Sequence, residues 1–540
     1  MMNTMEPGLV NYLFTKIMVS DFSVGAVFAV LVMLLILKLR TVGTRDGDFP
    51  PGPKTTPVLG NALDFPTSFP HIKFLEWAQE YGDIFSLKIL DRTVIVISSA
   101  AAVKHILDAN GARTGNRPRS VLVQRVTNGS LMALENMENP IWKHGRNAIH
   151  TFLTKGSLEK HLKTQQAEYS HFMHDILEDP ENIFQHICRT AASVMITLLY
   201  GSRITKYERS HAEVYFQGVK LLNEVTDPGA HPPVDLFWPL QYVPKRWAYW
   251  KRLADSTRDI RDELYGSLYA QCERAITTEK HTGCYLESLI MNQEKLGMTR
   301  DEIIGMGAVM MDAGAETSAS FLQSFILALI NNPHVQEKGQ AEIDRIVGPD
   351  RWPEIDDYEK VPYIRAIADE VLRFRTVLPI AIPHVNTAEV YYKGYRIPED
   401  SVIFMNTYGI YHDPDFYDEP EKFDPERFIK TEFGTKEDAD KTGYRNNLAF
   451  GAGRRICPGE SMARRTIMLN TMNLLWAFDF KKDGSGTGGQ GLESYAKPGI
   501  ELAPKPFTCD AKPRSATKAQ MIKNRYARAF PNGVDSARMF

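Results

Sequence analysis

The sequence predicts a large, helix-rich globule behind one N-terminal membrane helix, and three features carry that expectation. An uncharged apolar run lies near the start, a proline cluster follows it, and a long helical apolar pattern centres near residue 316. Composition agrees. Of 540 residues, 43% are hydrophobic and 24% charged, ordinary for a folded chain and unlike a disordered, collagen-like or disulfide-scaffold one. Lys and Arg number 63 against 66 Asp and Glu, a formal charge of −3, so no nucleic-acid partner is expected.

The apolar run, residues 22–37, reads FSVGAVFAVLVMLLIL. Its rise of about 24 Å falls short of a ~30 Å hydrocarbon core, so residues 17–20 and snorkelling flanks must help. Lys38, Arg40 and Arg45 follow the run, whereas a secretory signal peptide carries its positive charge in front, and no A-x-A-like cleavage site follows. Residues 1–45 therefore read as a retained single-pass anchor with its basic flank, and the following chain stays in the cytosol.

Phe49-Pro50-Pro51-Gly52-Pro53 comes next, a stiff break because proline fixes φ and denies helix continuation. Neither a repeat nor a further linker appears before 510. Residues 46–510 thus read as one domain, beyond the ~250–300 residues at which cores usually split. A bulky buried cofactor would account for that size. Residues 511–540 carry Lys512, Arg514, Lys518, Lys523, Arg525, Arg528 and Arg538 against Asp535. They read as a basic, disordered tail, with attraction to anionic lipid as the alternative.

Five cysteines (Cys188, Cys272, Cys284, Cys457, Cys509) are scattered, with no C-x-x-C pair, so neither a zinc site nor a disulfide framework is indicated. Cys457 differs from the rest. It lies in Phe450-Gly451-Ala452-Gly453-Arg454-Arg455-Ile456-Cys457-Pro458-Gly459, just ahead of an apolar-periodic segment. A helix starting after Pro458 turns its positive dipole end toward the sulfur, and Arg455 adds a cation; both favour thiolate. A lone thiolate cannot build a four-ligand zinc or iron–sulfur site, yet it suffices as the single protein ligand of a haem. A buried structural cysteine beside a glycine turn is the competing account.

This stretch fits F-x-x-G-x-R-x-C-x-G at every fixed position, and with it the chain resembles the cytochrome P450 family of haem-thiolate monooxygenases. The resemblance spans about residues 49–509. It implies a mainly α fold with small β-sheets (α+β) and a long central helix over a buried haem b, iron protoporphyrin IX. Cys457 would be the axial iron ligand, Arg455 a partner of a haem propionate, and Phe450 a ring packed near the sulfur. Gly451 and Gly459 would let the backbone approach the cofactor.

Residues 301–331 carry the long helical pattern, with Ala313-Gly314-Ala315-Glu316-Thr317-Ser318 at its middle. Glycine there costs about 1 kcal/mol against alanine, so it needs a reason; a small Ala313-Gly314 pair would open a groove for a ligand. Thr317 falls on the same face. In the resembled family this is the oxygen-activating stretch, where Thr317 would hydrogen-bond dioxygen or its water partner and Glu316 would relay protons. The family also joins Glu370 and Arg373 with Arg427 as a buried structural triad. Trp142 and Arg146, one helical turn apart, would reach the propionates, and so would His384, for which an uninvolved strand histidine is the alternative.

Such chemistry inserts one oxygen atom from dioxygen into a C–H or double bond of a small lipophilic substrate. The chain has no G-x-G-x-x-G fingerprint, so electrons would come from an NADPH-cytochrome P450 reductase, with cytochrome b5 a further donor. Arg454, Arg464 and Arg465 are candidates for docking it, or plain surface charge. Pocket walls are expected from residues 119–133, 306–317 and 377–382. Asp312 would either meet an amine-bearing substrate or lie on a solvated helix face. Asn128-Gly129-Ser130 is a glycosylation sequon that a cytosolic globule leaves unmodified. The general look of the chain is like fungal members that tailor secondary metabolites, in the endoplasmic reticulum membrane. A reductase-independent isomerase or dehydratase, a detoxifying monooxygenase and a haem carrier are the rivals.

Overall fold

Proline and apolar periodicity set the early elements. Pro70 opens α1 (Pro70–Tyr81), where its missing N–H costs nothing in a first turn. β1 (Ile84–Ile89), largely apolar, and β2 (Arg92–Ile97), a β-branched run, pair antiparallel, Ile84 against Ile97. The helices α2 (Pro140–Phe152), α3 (Lys155–Glu178), α4 (Ile183–Tyr200), α5 (His211–Thr226) and α6 (Tyr249–Thr277) follow. The computed structural model describes residues 41–227, 230–496 and 501–531, with six helical positions between 27 and 34. The expected anchor falls mostly outside these residues; Val27, Val30, Met33 and Leu34, which are described, are exposed.

The central helix begins at a capping box, Thr299 with Glu302, and runs as α7 (Arg300–Met311), a π-helical turn (Asp312–Glu316) and α8 (Thr317–Asn331). It is long and apolar enough to cross a membrane, but its most apolar window is 72% buried within the globule: this is the core helix. α9 (Pro333–Ile346) and α10 (Pro362–Phe374) pack beside it.

Four short strands come late: β3 (His384–Val385), β4 (Val390–Tyr392), β5 (Tyr395–Ile397) and β6 (Val402–Met405). β6 lies parallel to β2, Val94 against Val402, and antiparallel to β3, His384 against Ile403; β4 and β5 form a separate hairpin. α11 (Glu460–Ala477) then re-enters the main core, where Leu474, Leu475 and Trp476 join Phe325 and Ile326.

The expectation of a disordered basic tail is overturned. β8 (Asp510–Pro513) pairs with β7 (Phe478–Lys481), and α12 (Ala516–Ala529) packs on α3. Most of the tail's basic residues have specific carboxylate partners. Arg514 and Lys518 share Asp344, Lys523 meets Glu178, and Arg525 meets Glu354. Ile522 is fully buried and Phe530 nearly so. Arg538 and Asp535 lie outside the described residues.

Candidate active site

The Cys457 loop is built by turns. The Cys457 N–H donates to Phe450 O (2.8 Å), and Gly451 (φ 86°) supplies left-handed backbone that bulkier residues resist. Gly453 comes so close to Leu107 that a Cβ would sit 2.1 Å from its carbonyl oxygen. Asp108, which the sequence did not single out, fixes the loop: its carboxylate accepts from Gly453 N (2.7 Å) and pairs with Arg445 (2.7 Å). α11 starts just past Pro458, as expected, with Gly459 as its N-cap, and a Cβ on Gly459 would meet Cys457 Sγ at 3.7 Å.

Of the five cysteines, Cys457 is half-buried and the others are fully buried. Burial pushes its thiol up, opposed by the Gly459 and Glu460 N–H groups and by Arg146, while the Glu460 carboxylate adds to the rise. The expected cation is therefore corrected: Arg146, not Arg455, acts on the sulfur. Helix start and cation together do not make a thiolate; a coordinated metal, which deprotonates a thiol outright, does.

Arg455 instead donates to Gly115 O (2.6 Å) and Glu135 O (2.5 Å) and lies 5.0 Å over the Trp142 ring. Arg146, one turn along α2 from Trp142, donates to Ile456 O. Beside them stands Arg117, which Asn116-Arg117-Pro118 did not reveal; it donates to the carbonyls of Ala133, Ile382 and Pro383. Burial, with repulsion by Arg455, lowers Arg117 to about 9; burial, with repulsion by Arg146, lowers Arg455 to about 10. Among the described residues none of these three arginines forms an ion pair or hydrogen bond with a carboxylate, although Glu138 and Glu135 act on Arg455 from farther off.

His384 is buried, and its Nδ1–H donates to Thr114 O (2.8 Å). Burial, with Arg117 adding to the effect, drops it to about 3. Arg117, already a cation and beside it, is a further candidate for the same propionate.

The central helix departs from regular α geometry where the sequence placed its chemistry. The π-helical turn frees carbonyls that side chains then cap: Thr317 Oγ1 donates to Ala313 O and Ser318 Oγ to Gly314 O, both at 2.7 Å. Ala313 is exposed although Met311 and Ala315 on the same helix are buried. Gly314 does not open a ligand groove, since a Cβ there would strike Met195 Sδ at 2.5 Å; it lets α4 approach. Asp312 takes neither expected role, for it pairs with Arg261 (2.7 Å) and accepts from Tyr265 Oη (2.9 Å). Glu316 accepts from Asn223 (2.8 Å), and burial raises it to about 7.

Glu370, Arg373 and Arg427 are brought together. Arg373 grips the Glu370 carboxylate through two nitrogens (2.7 and 2.9 Å), and Arg427 Nε adds a third bond (3.1 Å). Of the docking candidates, Arg464 pairs with Glu460 and Arg465 with Glu159, while Arg454 is exposed. Leu122, Val123 and Val126, expected along a pocket wall, pack instead with Val225, Ala248 and Trp250.

The family model for cytochrome P450 matches residues 50–508. The chain belongs to that family. A cytochrome P450 monooxygenase of Rhodocybe pseudopiperita, ple5B, is 39% identical over 91% of this chain and 95% of its own. One of Armillaria gallica is 37% identical over 93% and 96%. A zebra fish cytochrome P450 solved with progesterone aligns at a TM-score of 0.66 and 27% identity, covering 82% of this chain and 99% of its own. This cytochrome P450 is thus an oxygen-incorporating oxidoreductase, and its cofactor is a thiolate-ligated haem.

The residues present fit that group. Three guanidiniums without a carboxylate partner suit a dianionic edge, and the half-buried thiol of Cys457 suits an axial ligand. Cys457 would hold the iron, and Arg117, Arg146, Arg455 and Trp142 would hold the propionates.

Proposed function

We propose that this cytochrome P450 inserts one oxygen atom from dioxygen into a small lipophilic substrate, by hydroxylation or epoxidation, in fungal secondary-metabolite biosynthesis. The observation that carries the reading is the set of arginines without carboxylate partners beside the half-buried Cys457. Thiolate-ligated haem supplies the O–O cleaving chemistry once bound. The chain's own part is placement and protons. Cys457 supplies the sulfur, and the arginines fix the cofactor's orientation through paired hydrogen bonds. Thr317 Oγ1, parked on Ala313 O at the open face, is free to turn its hydroxyl toward a bound reactant. Glu316, raised to about 7, can hold and release a proton near neutral pH. Met306, Val309 and Met310, buried and apolar on the central helix, are in keeping with a lipophilic substrate beside it.

Two electrons and two protons are consumed per oxygen inserted, the second oxygen leaving as water. An NADPH-dependent reductase would deliver the electrons, assisted by cytochrome b5, with exposed Arg454 on the docking side. The anchor would hold the enzyme in the endoplasmic reticulum membrane as a single pass, in contact with lipid, its catalytic domain facing the cytosol. The relatives' fungal origin and monooxygenase names support the monooxygenase reading. The test is the absorption spectrum of the reduced, carbon-monoxide-treated holoprotein. A strongly red-shifted Soret band is expected, and Cys457→Ser should abolish it. A normal-position band in the unmodified protein overturns the reading.

A further inference from the structure

Two cysteines that the proposed reaction does not use face each other inside the fold. Cys272 lies near the end of α6, and Cys284 stands where the chain re-enters a helix at Tyr285–Met291. Their sulfurs are 3.8 Å apart, and among the described residues theirs is the one contact between cysteines. Cys272 Sγ also donates to Tyr200 O at the end of α4 (3.7 Å). The two residues are 1% and 6% exposed, yet Gly283, next to Cys284, is at the surface.

A buried carboxylate sets this approach. Glu287 accepts from Thr282 N–H (3.1 Å), Thr282 Oγ1 (2.7 Å) and Gly283 N–H (3.0 Å). Cys284 N–H donates in turn to Thr282 Oγ1 (3.3 Å). Gly283, at φ 73°, supplies the left-handed backbone with which the turn comes back onto α6. Beyond it, Tyr285 donates its hydroxyl to Ala148 O of α2, the helix of Trp142 and Arg146. A Cβ on Gly307 of α7 would meet Leu286 at 3.1 Å. The sulfurs thus sit where α6 meets a segment already tied to α2 and α7.

We propose that Cys272 and Cys284 are a peroxide-oxidisable dithiol whose product, an intrachain disulfide, pins the turn at residues 278–283 to α6. Closing 3.8 Å to a bond of about 2.05 Å moves each sulfur by about 0.9 Å, within reach of side-chain rotation. Cys284 is the attacking sulfur. It is the nearer to the surface, and its hydrogen bond with Cys272 holds its thiol down against burial. Its sulfur bonds to one peroxide oxygen as the O–O bond breaks, and the departing hydroxide becomes water with the proton Cys284 gave up. The Cys272 sulfur then attacks the resulting sulfenic sulfur. The S–S bond forms, the S–O bond breaks, and a second hydroxide leaves as water with the Cys272 proton. Two thiols lose two electrons, and one peroxide takes them up. The inference stands apart from the haem reaction proposed above.

Full-length, haem-loaded protein treated with a small excess of hydrogen peroxide, quenched with catalase, alkylated and digested with trypsin tests this. Residues 262–274 and 281–295 should appear as one linked peptide pair, which dithiothreitol separates. Before denaturation, tryptic cutting after the exposed Lys280 should slow several-fold in oxidised protein and recover on reduction. Cys284→Ser and Cys272→Ala should each abolish both the linked pair and the protection, while the carbon monoxide band that depends on Cys457 stays. The linked pair is read in the unmodified protein, so the proposal remains refutable even where neither variant folds. Full alkylation of Cys272 and Cys284 after peroxide, or their conversion to sulfinic acid without a linked pair, overturns it. A linked pair that leaves cutting after Lys280 unchanged overturns the pinning.

Discussion

Glu370→Gln asks how far the globule depends on one buried carboxylate. Glu370 is fully buried and accepts four hydrogen bonds: two from Arg373, one from Arg427 Nε and one from the Asp424 N–H. The amide preserves the shape but removes the negative charge and puts an NH2 group where donors already converge. Arg373, 1% exposed, and Arg427, 7% exposed, are then left without a counter-ion. Breaking one buried pair costs about 3–5 kcal/mol, and two stranded cations place this variant near about 5. A whole fold is worth only about 5–15 kcal/mol. Arg427→Ala should be milder, about 1.5–3 kcal/mol, because Glu370 keeps its two bonds to Arg373. Urea unfolding of the full-length holoprotein, followed by circular dichroism and the Soret band together, gives the comparison. Glu370→Gln should yield little haem-loaded protein and the lowest midpoint, with Arg427→Ala between it and the parent. A Glu370→Gln midpoint equal to the parent's, or an Arg427→Ala loss as large as that of Glu370→Gln, would refute the reasoning.

Thr317→Ala removes the hydroxyl that rests on Ala313 O; helix content should stay, by circular dichroism, while peroxide released per NADPH rises several-fold. Arg117→Leu should show opposite signs in two assays. Relief of a buried guanidinium, lowered to about 9, leaves the haem-free protein as stable or more so, while haem retention in a transfer assay falls about 10–100-fold. Deleting residues 510–540 removes the β7–β8 pairing and the buried Ile522 and Phe530. The loss should be about 3–6 kcal/mol by the burial of those two side chains alone, read as a lower thermal midpoint.

The Cys457 loop was legible because its demands are local: a glycine where φ is positive, a helix start just past the sulfur. The central helix was legible from its apolar spacing, but the π-helical turn inside it was not, since Asp312–Glu316 carries no composition that distinguishes it from α. Gly314 showed that something must come close; only the fold showed that Met195, not a ligand, does. The tail was misjudged because the acids that order it, Asp344, Glu354 and Glu178, lie far back in the chain. Arg117 escaped notice for a similar reason, as its partners are carbonyls at 133, 382 and 383. Arg465 likewise meets an acid far back in the chain, Glu159, whereas the i,i+4 pairing of Arg464 with Glu460 lies within one helix.

The parallel pairing of β2 with β6 joins Val94 to Val402, about three hundred residues apart in synthesis. At roughly 5–20 residues per second, the first hairpin waits about 15–60 s on the ribosome before its neighbour emerges. Throughout that interval Phe85, Leu87 and Val96, fully buried in the finished protein, have no late strand beside them. Asp108, which braces Gly453, waits longer still. The cofactor seat is therefore completed near the end of translation, and the early sheet must be shielded from its neighbours on the polysome until then.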